Sequence, residues 1–369
     1  MAKGSKKEGG GIGELLAYAG DRKFLTYLGM ALSAFSQLLS FGPYVCIWLV
    51  ARDLIAVAPN WSEAADIAMY GWWAVGFALA SIVVYFVGLM CTHLSAFRCA
   101  SNIRKTTSEH LLKLPLGYFD THATGELRRI VDGCAASTET LLAHMLPDIA
   151  GATAMVVGLL VLLFALDWRL GAACLISVVV SFCAMATMMS GKGAEFMKAY
   201  MGALVKMNKT GTEYVRGIPV VKVFQQTVYS FKAFHDAIAE YADMAQNYAG
   251  TFCRGPQVLN LTALNGLVAF LLPVALLLAP GETDFAHFMV NFTFYAIFSA
   301  VVPTAMTKLM FVGEASQMSA DSLARIRSVM DSKQLSVPAQ PKHPAGSDVR
   351  FEDVSFTYEG AEAPAVDHV

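Results

Sequence analysis

Residues 67–97 read IAMYGWWAVGFALASIVVYFVGLMCTHLSAF, thirty-one positions without an Asp, Glu, Lys or Arg. A helix rises about 1.5 Å per residue, so roughly 20 such residues cross the ~30 Å hydrocarbon core of a bilayer. Five more charge-free runs accompany it: Phe24–Val50, Ile149–Leu166, Leu170–Gly191, Gly255–Gly281 and Phe285–Thr307. Six runs of 18 residues or more do not arise from the buried helices of a soluble protein. The composition agrees, with 56% apolar and 15% charged residues, against about 45–50% and about 25% in soluble domains. The fold class expected is an all-α polytopic membrane protein with six long transmembrane helices.

Orientation follows from Lys and Arg, which concentrate on the cytoplasmic side of a membrane. Of 27, all but Arg52 and Arg169 fall before the first run, between runs two and three, between four and five, or after the sixth. Both termini are therefore expected in the cytoplasm, and the protein in the cytoplasmic (plasma) membrane. No signal peptide is read before the first run. A net charge of −2 leaves no bulk basic field, so nucleic acid is not an expected partner. Cys46, Cys91, Cys99, Cys134, Cys174, Cys183 and Cys253 are scattered with no Cys-x-x-Cys pair. They read as packing residues rather than metal ligands.

The loops between runs are lopsided. Asp167-Trp168-Arg169 and Glu282-Thr283-Asp284 join runs three to four and five to six, whereas Arg98–Asp148 and Lys192–Arg254 span 51 and 63 residues. No proline occurs from Ile67 to Leu114, which permits one helix of roughly 70 Å that leaves the membrane. In the second insertion Val221, Phe224, Val228, Phe231, Phe234, Ile238 and Tyr241 recur at spacings of three and four, a stripe read as packing against neighbouring helices. Breaks are expected at Leu114–Asp120, with Asp120 or Thr121 capping the next helix, and at Arg216-Gly217-Ile218-Pro219. The apolar tips so formed, Tyr118 and Phe119 among them, suggest docking knobs for a soluble partner. A helix is expected over Met310–Met330, a Pro-rich linker over Ser336–Ser347, and a strand over Val349–Tyr358, the opening of a soluble domain.

Polar residues inside the runs are costly in hydrocarbon and tend to face the bundle interior. The candidates for a substrate path are Gln37, His93, Asn260, Asn265, Asn291 and Lys308; the plain alternative is hydrogen bonding between helices. Pro43, Pro273 and Pro303 are placed to kink spans one, five and six. His144 and Asp148, one turn apart, read as helix cross-links rather than a proton relay.

These pieces together resemble the transmembrane half of an exporter-fold (type IV) ABC transporter. The matching residues are the Pro115–Asp120 turn with Thr124-Gly125-Glu126-Leu127 and Asp132, the stretch Glu213–Phe224, Ala324-Arg325-Ile326 and Phe356-Thr357-Tyr358, and they extend over essentially the whole chain. The resemblance implies a tail and elbow helix over 1–23, a six-helix transmembrane domain over 24–331, a linker over 332–348, and the start of a nucleotide-binding domain over 349–369. It implies that Tyr118, Phe119 and Asp120, with Glu126, form the first coupling helix, and that Gly217, Val221 and Phe224 belong to the second. Tyr358 matches the aromatic residue that stacks on the adenine of ATP. ATP and Mg²⁺ are the cofactors of the complete machine, and a second half-transporter, membrane lipid and a small-molecule substrate are its partners. Spans four and five are expected to reach over to the second half.

The chain departs from that pattern where the motor should be. It carries no Gly-x-x-x-x-Gly-Lys-[Ser/Thr] loop, Walker-B-type strand or signature loop, so by itself it is expected to lack ATPase activity. Those parts are expected beyond Val369 or on another polypeptide. The stretches Glu213–Phe234, Leu114–Asp120 and His144–Asp148 look most like a branch that imports iron-loaded siderophores. Drug, lipid or peptide export is the alternative on the same fold. A passive channel or receptor has no use for long docking stalks. A membrane enzyme is disfavoured because His93, His110, His122, His144, His235, His287, His343 and His368 are dispersed.

Overall fold

The proline-free stretch after Ile67 folds as one helix, α4, Ile67–Leu111, whose 45 residues extend about 67 Å. It is the longest helix among the described residues of the computed structural model, which are 11–223, 232–335, 346–358 and 362–369. Ahead of it stand the short α1 (Gly11–Ala17), α2 (Lys23–Leu39) and α3 (Gly42–Val57). After it come a small helix, α5 (Leu116–Thr121), and then α6 (Thr124–Arg128), α7 (Cys134–Thr140) and α8 (Leu146–Ala165). Two π turns, Arg129–Gly133 and Leu141–Met145, join α6 to α8 into one rod. Then follow α9 (Trp168–Met189), α10 (Lys192–Val223), α11 (Lys232–Ala245), α12 (Arg254–Leu264), α13 (Leu272–Leu278), α14 (Phe285–Phe298) and α15 (Val301–Met330).

Four helices among the described residues are long and apolar enough to cross a membrane: Gly20–Val57, Ile67–Leu111, Thr124–Ala165 and Trp168–Met188. The fifth and sixth expected spans are not single rods. Arg254–Leu264 and Ala269–Gly281 meet at a bend of 73°, and the sixth run is divided between α14 and α15. Proline explains where helices resume. Pro43, Pro273 and Pro303 stand within the first three residues of α3, α13 and α15. Those positions need no backbone N–H donor, so proline is tolerated there while it breaks the helix that precedes.

The seam between α2 and α4 is built from small residues. The buried positions of α2 are Thr26, Gly29, Ser33 and Ser36. Opposite them on α4, Thr26 Oγ1 donates to Ser95 Oγ at 2.7 Å, and Ser36 and Ser81 exchange side-chain-to-backbone hydrogen bonds at 2.9 and 3.0 Å. Between these pairs Gly29 faces Gly88 so closely that a Cβ on Gly29 would lie 2.6 Å from Gly88 O. In lipid, where large apolar side chains gain nothing by leaving their surroundings, close backbone approach and hydrogen bonding drive such contacts.

Larger side chains fill two cores. One gathers Leu15, Leu16, Ile103, Leu141, Leu142, Leu323 and Ile326, where α1 and the end of α15 meet α4 and α7. The other holds Phe41, Leu159, Leu163, Leu170, Leu271, Tyr295 and Phe298 near the short α8–α9 link. There Tyr295 Oη donates to Leu163 O at 2.6 Å and accepts from Asp167 N at 3.0 Å, closing the α8–α9 turn onto α14. Cys46, Cys99, Cys134, Cys174 and Cys253 are buried, Cys91 is partly buried, and Cys183 is exposed on α9.

Three local expectations are corrected. Arg216–Pro219 is not a turn: α10 runs through it to Val223 with Pro219 inside the helix. Packing against α11 outweighs the proline, as Phe234 lies against Gly211 and stacks on Tyr214 at 5.5 Å. Tyr241 likewise pairs with Tyr200, hydroxyl to hydroxyl at 2.9 Å. Phe224, Val228 and Phe231 of the stripe lie outside the described residues, as do 336–345 of the linker. Neither Asp120 nor Thr121 caps α6, whose N-cap is Ala123; the Thr121 hydroxyl donates instead to Tyr118 O at 3.1 Å. Finally, among the described residues Val349–Tyr358 pairs at two points, Phe356 with Val366 and Val354 with Val369, each through reciprocal backbone hydrogen bonds of 2.8 and 3.1 Å, rather than as a continuous ladder. Two short segments exposed on both faces are marginal as a sheet.

Candidate functional site

The sequence candidates separate into two kinds. Asn260 and Asn291 are buried, and each is spent on joining helices: Ser181 Oγ donates to Asn260 Oδ1 at 2.5 Å across α9 and α12, and Trp48 Nε1 donates to Asn291 Oδ1 at 3.0 Å across α3 and α14. Asn265 bonds its own helix, through Nδ2 to Leu261 O at 2.9 Å. Asn260 and Asn291 thus tie helices together, while Asn265 braces only its own.

Gln37 and Lys308 behave differently. Lys308 Nζ donates to Gln37 Oε1 at 3.1 Å, linking α15 to α2 inside the bundle. The same turn of α2 touches α8. Ser33 Oγ donates to Pro147 O at 2.7 Å, and a Cβ on Gly151 would lie 3.0 Å from Gln37 Cγ. One residue beyond Pro147, Asp148 accepts from Tyr85 Oη of α4 at 2.9 Å. Four helices thus contribute Ser33, Ser36, Gln37, Ser81, Tyr85, Asp148 and Lys308 to one polar layer. Tyr85 was missed from the sequence; its place in the small-residue seam, four positions from Ser81 and three from Gly88, is the signal that marks it.

Next to that layer His93 of α4 meets His144 edge to face, with ring centroids 4.7 Å apart. His144 and Asp148 therefore each contact α4 through separate partners, as helix cross-links do.

An apolar cavity of about 550 Å³ opens at the α2–α3 break, between Phe41, Gly42, Phe77, Gly158 and Val161. A more polar one of about 480 Å³ lies at the short-loop end, beside Asp167, Arg169, His287 and Asn291.

At the other end α4 terminates in the α5 turn. Tyr118 stacks on His122 with ring centroids 4.0 Å apart, and His122 Nδ1 meets Tyr118 O at 2.9 Å. That clasp fixes the turn and leaves Leu112, Leu116 and Phe119 exposed, with Asp120 and Glu126 exposed beside them. The end of α15 is tied to the same place. Leu335 N donates to Lys113 O at 2.9 Å, His110 Nε2 meets Ser332 O at 3.1 Å, and Gln334 Nε2 meets His110 Nδ1 at 2.7 Å. Gly217 and Val221 lie on α10, away from a turn, and Phe224 lies outside the described residues. Tyr358 is exposed, edge-on to Phe356 at 4.9 Å. The chain's sequence holds no glycine-rich loop for phosphates.

The family model for the ABC transporter transmembrane region matches residues 26–302. The chain is 27% identical over 205 residues to the mycobactin import ATP-binding/permease protein IrtA of Mycobacterium tuberculosis, covering 56% of this chain and 23% of that protein. To the protein of the same name from Mycolicibacterium thermoresistibile it is 24% identical over 339 residues, 89% of this chain and 36% of that one. An ATP-dependent lipid A-core flippase of Photobacterium profundum is 22% identical over 316 residues, 83% of this chain and 52% of the flippase. The chain thus spans about a third or less of these two importers and about half of that flippase. With a match over most of its length, and with long apolar helices that extend beyond a bilayer's thickness, the chain belongs to the ABC transporter transmembrane region family.

Proposed function

We propose that this chain is the membrane body of one half of an ATP-driven transporter that carries a metal–siderophore complex inward by alternating access. The observation that carries the reading is the likeness to a mycobactin importer over 89% of the chain. In this reading the chain crosses the plasma membrane six times with both termini in the cytoplasm, Arg254–Gly281 forming a broken fifth crossing and Phe285 onward the sixth. It works with a second half-transporter. ATP and Mg²⁺ bind on ATP-hydrolysing domains, to which Tyr358 offers an adenine face. The turn bearing Tyr118, Phe119 and Asp120, with Glu126, the α10 end at Gly217 and Val221, and Phe224, passes their motion to the membrane helices. A metal arriving inside a chelate needs no ligand cluster in the protein, only polar contacts along the path.

The test is ATP-dependent uptake of a ⁵⁵Fe-labelled ferric siderophore by cells with and without the gene. Uptake that falls on deletion and returns on complementation supports the reading. Unchanged uptake, together with loss of resistance to an exported compound, overturns it. Lipid export is the second reading, favoured by the apolar cavity at Phe41 and Gly158, whose walls suit an acyl chain; lipid flipping by the reconstituted transporter without chelate transport decides for it.

A further inference from the structure

Asp148 and Lys308 border the charge-free runs 149–166 and 285–307; Lys308 bonds Gln37 of α2, and the residues flanking Asp148, Pro147 and Gly151, meet the same turn. Their surroundings differ. Asp148 accepts a hydrogen bond from Tyr85. Lys308 has three donors, and its hydrogen bond runs to a neutral amide oxygen; among the described residues no carboxylate lies within 4.0 Å of it. An ammonium among membrane helices whose bond runs to a neutral amide keeps donors to spare, and ionisable groups so placed tend to face the bundle interior and mark a substrate path. Lys308 is only partly buried, so its remaining donors are within reach of a ligand. Its placement is prepared by two neighbours. Gly151 leaves room for the Gln37 side chain, and Gln37 aims the ammonium.

We infer that Lys308 is an anion-recognition residue on the transport path, taking a carboxylate, phenolate or phosphate group of the transported molecule, with Gln37 as its positioning residue. The inference rests on the proposed transport function and names the charge of its substrate. The same chemistry would suit a lipid headgroup, so the source must be separated by experiment.

The experiment measures equilibrium binding to the complete transporter in phosphatidylcholine nanodiscs. The probes are a ⁵⁵Fe trihydroxamate chelate that carries a free carboxylate and the methyl ester of the same chelate. The wild type is expected to bind the acid about tenfold more tightly than the ester, the scale of one charge-assisted hydrogen bond. Lys308→Met should erase that preference, and Lys308→Arg should keep it. Gln37→Glu, which leaves the lysine in place but neutralises it from within, should also erase it. Equal affinity for acid and ester in the wild type, or a preference that survives in both Lys308→Met and Gln37→Glu, overturns the inference and leaves chelate transport standing. A preference that vanishes in phosphatidylglycerol nanodiscs assigns Lys308 to lipid headgroups and overturns it too. Failure of the wild type to bind either chelate overturns the chelate reading and this inference together.

Discussion

Tyr85 Oη donates to Asp148 Oδ1 at 2.9 Å, so this partly buried carboxylate is held by α4 rather than by its own helix. Removing the hydroxyl leaves a partly buried carboxylate short of a donor, whereas changing the acid to an amide keeps an acceptor oxygen in place. Tyr85→Phe is therefore expected to lower stability by about 1–2 kcal/mol, within the range of interhelical hydrogen bonds in membranes and of bonds to charged groups. Asp148→Asn is expected to cost less. The denaturation midpoint of the detergent-solubilised protein measures both, and equal losses would count against the asymmetry.

The contact of Gly29 with Gly88 and Thr92 predicts a second effect. A methyl group on Gly29 has no space unless α2 and α4 separate, which would stretch the flanking Thr26–Ser95 and Ser36–Ser81 bonds. Gly29→Ala is expected to destabilise by about 1–3 kcal/mol, the usual cost of overpacking. Gly76 lies on the same helix α4, and a Cβ there would meet nothing within 4 Å, so Gly76→Ala serves as the control and should be neutral. A thermal-unfolding comparison of the two variants reads the difference.

Much of this was legible in the sequence, but unevenly. Lipid demands near-uniform apolarity, so Ile67–Phe97 announces itself as a span at once. The packing within it does not, because hydropathy ignores Ser81, Tyr85, Gly88, Thr92 and Ser95, whose spacing of four, three, four and three marks the face toward α2. Gln37 and Lys308 were recognisable by residue type, yet their bond joins positions 271 apart and depends on where α15 comes to lie. Gly217-Ile218-Pro219 misled for the opposite reason. It is a sound local turn signal, overridden because α11 packs on α10 from Tyr200 to Tyr214, up to the turn before it. The alternation in Val349–Tyr358 was real, but alternation specifies a strand only where a partner sheet receives one of its faces.

The α8–α9 link predicts a pH dependence. Asp167 caps α9 by accepting from Arg169 N at 2.9 Å, and Arg169 also bridges to Glu282 at 2.5 Å. Burial alone would push the Asp167 carboxyl up, but the hydrogen bonds and charge of Arg169 more than offset it and hold it below the usual range. A carboxyl lowered by folding contributes stability above its unfolded value of about 3.9 and loses it as pH falls through the folded value. Asp167→Asn, which can still cap, is expected to flatten the fall of the thermal midpoint below about pH 4. Asp167→Ala is expected to cost about 0.5–2 kcal/mol at neutral pH through the lost cap. A wild-type slope retained in Asp167→Asn would place the titrating group elsewhere.

The α5 tip separates stability from coupling. Tyr118 is clasped by His122, whereas Phe119 is 42% exposed and Leu116 is 86% exposed at the same turn. An exposed ring contributes little to the fold, so Phe119→Ala should shift stability by no more than about 0.5 kcal/mol. If the tip docks on an ATP-hydrolysing domain, the same change removes an apolar anchor from that contact, and substrate should no longer stimulate ATP turnover by the assembled transporter. Tyr118→Ala should do both, because it also opens the clasp that shapes the turn. Measuring basal and substrate-stimulated turnover beside the unfolding midpoint distinguishes the two residues. Stimulation that persists in Phe119→Ala at unchanged stability would show that the exposed ring is not the docking contact, and would move that role to Leu116 or to the end of α10.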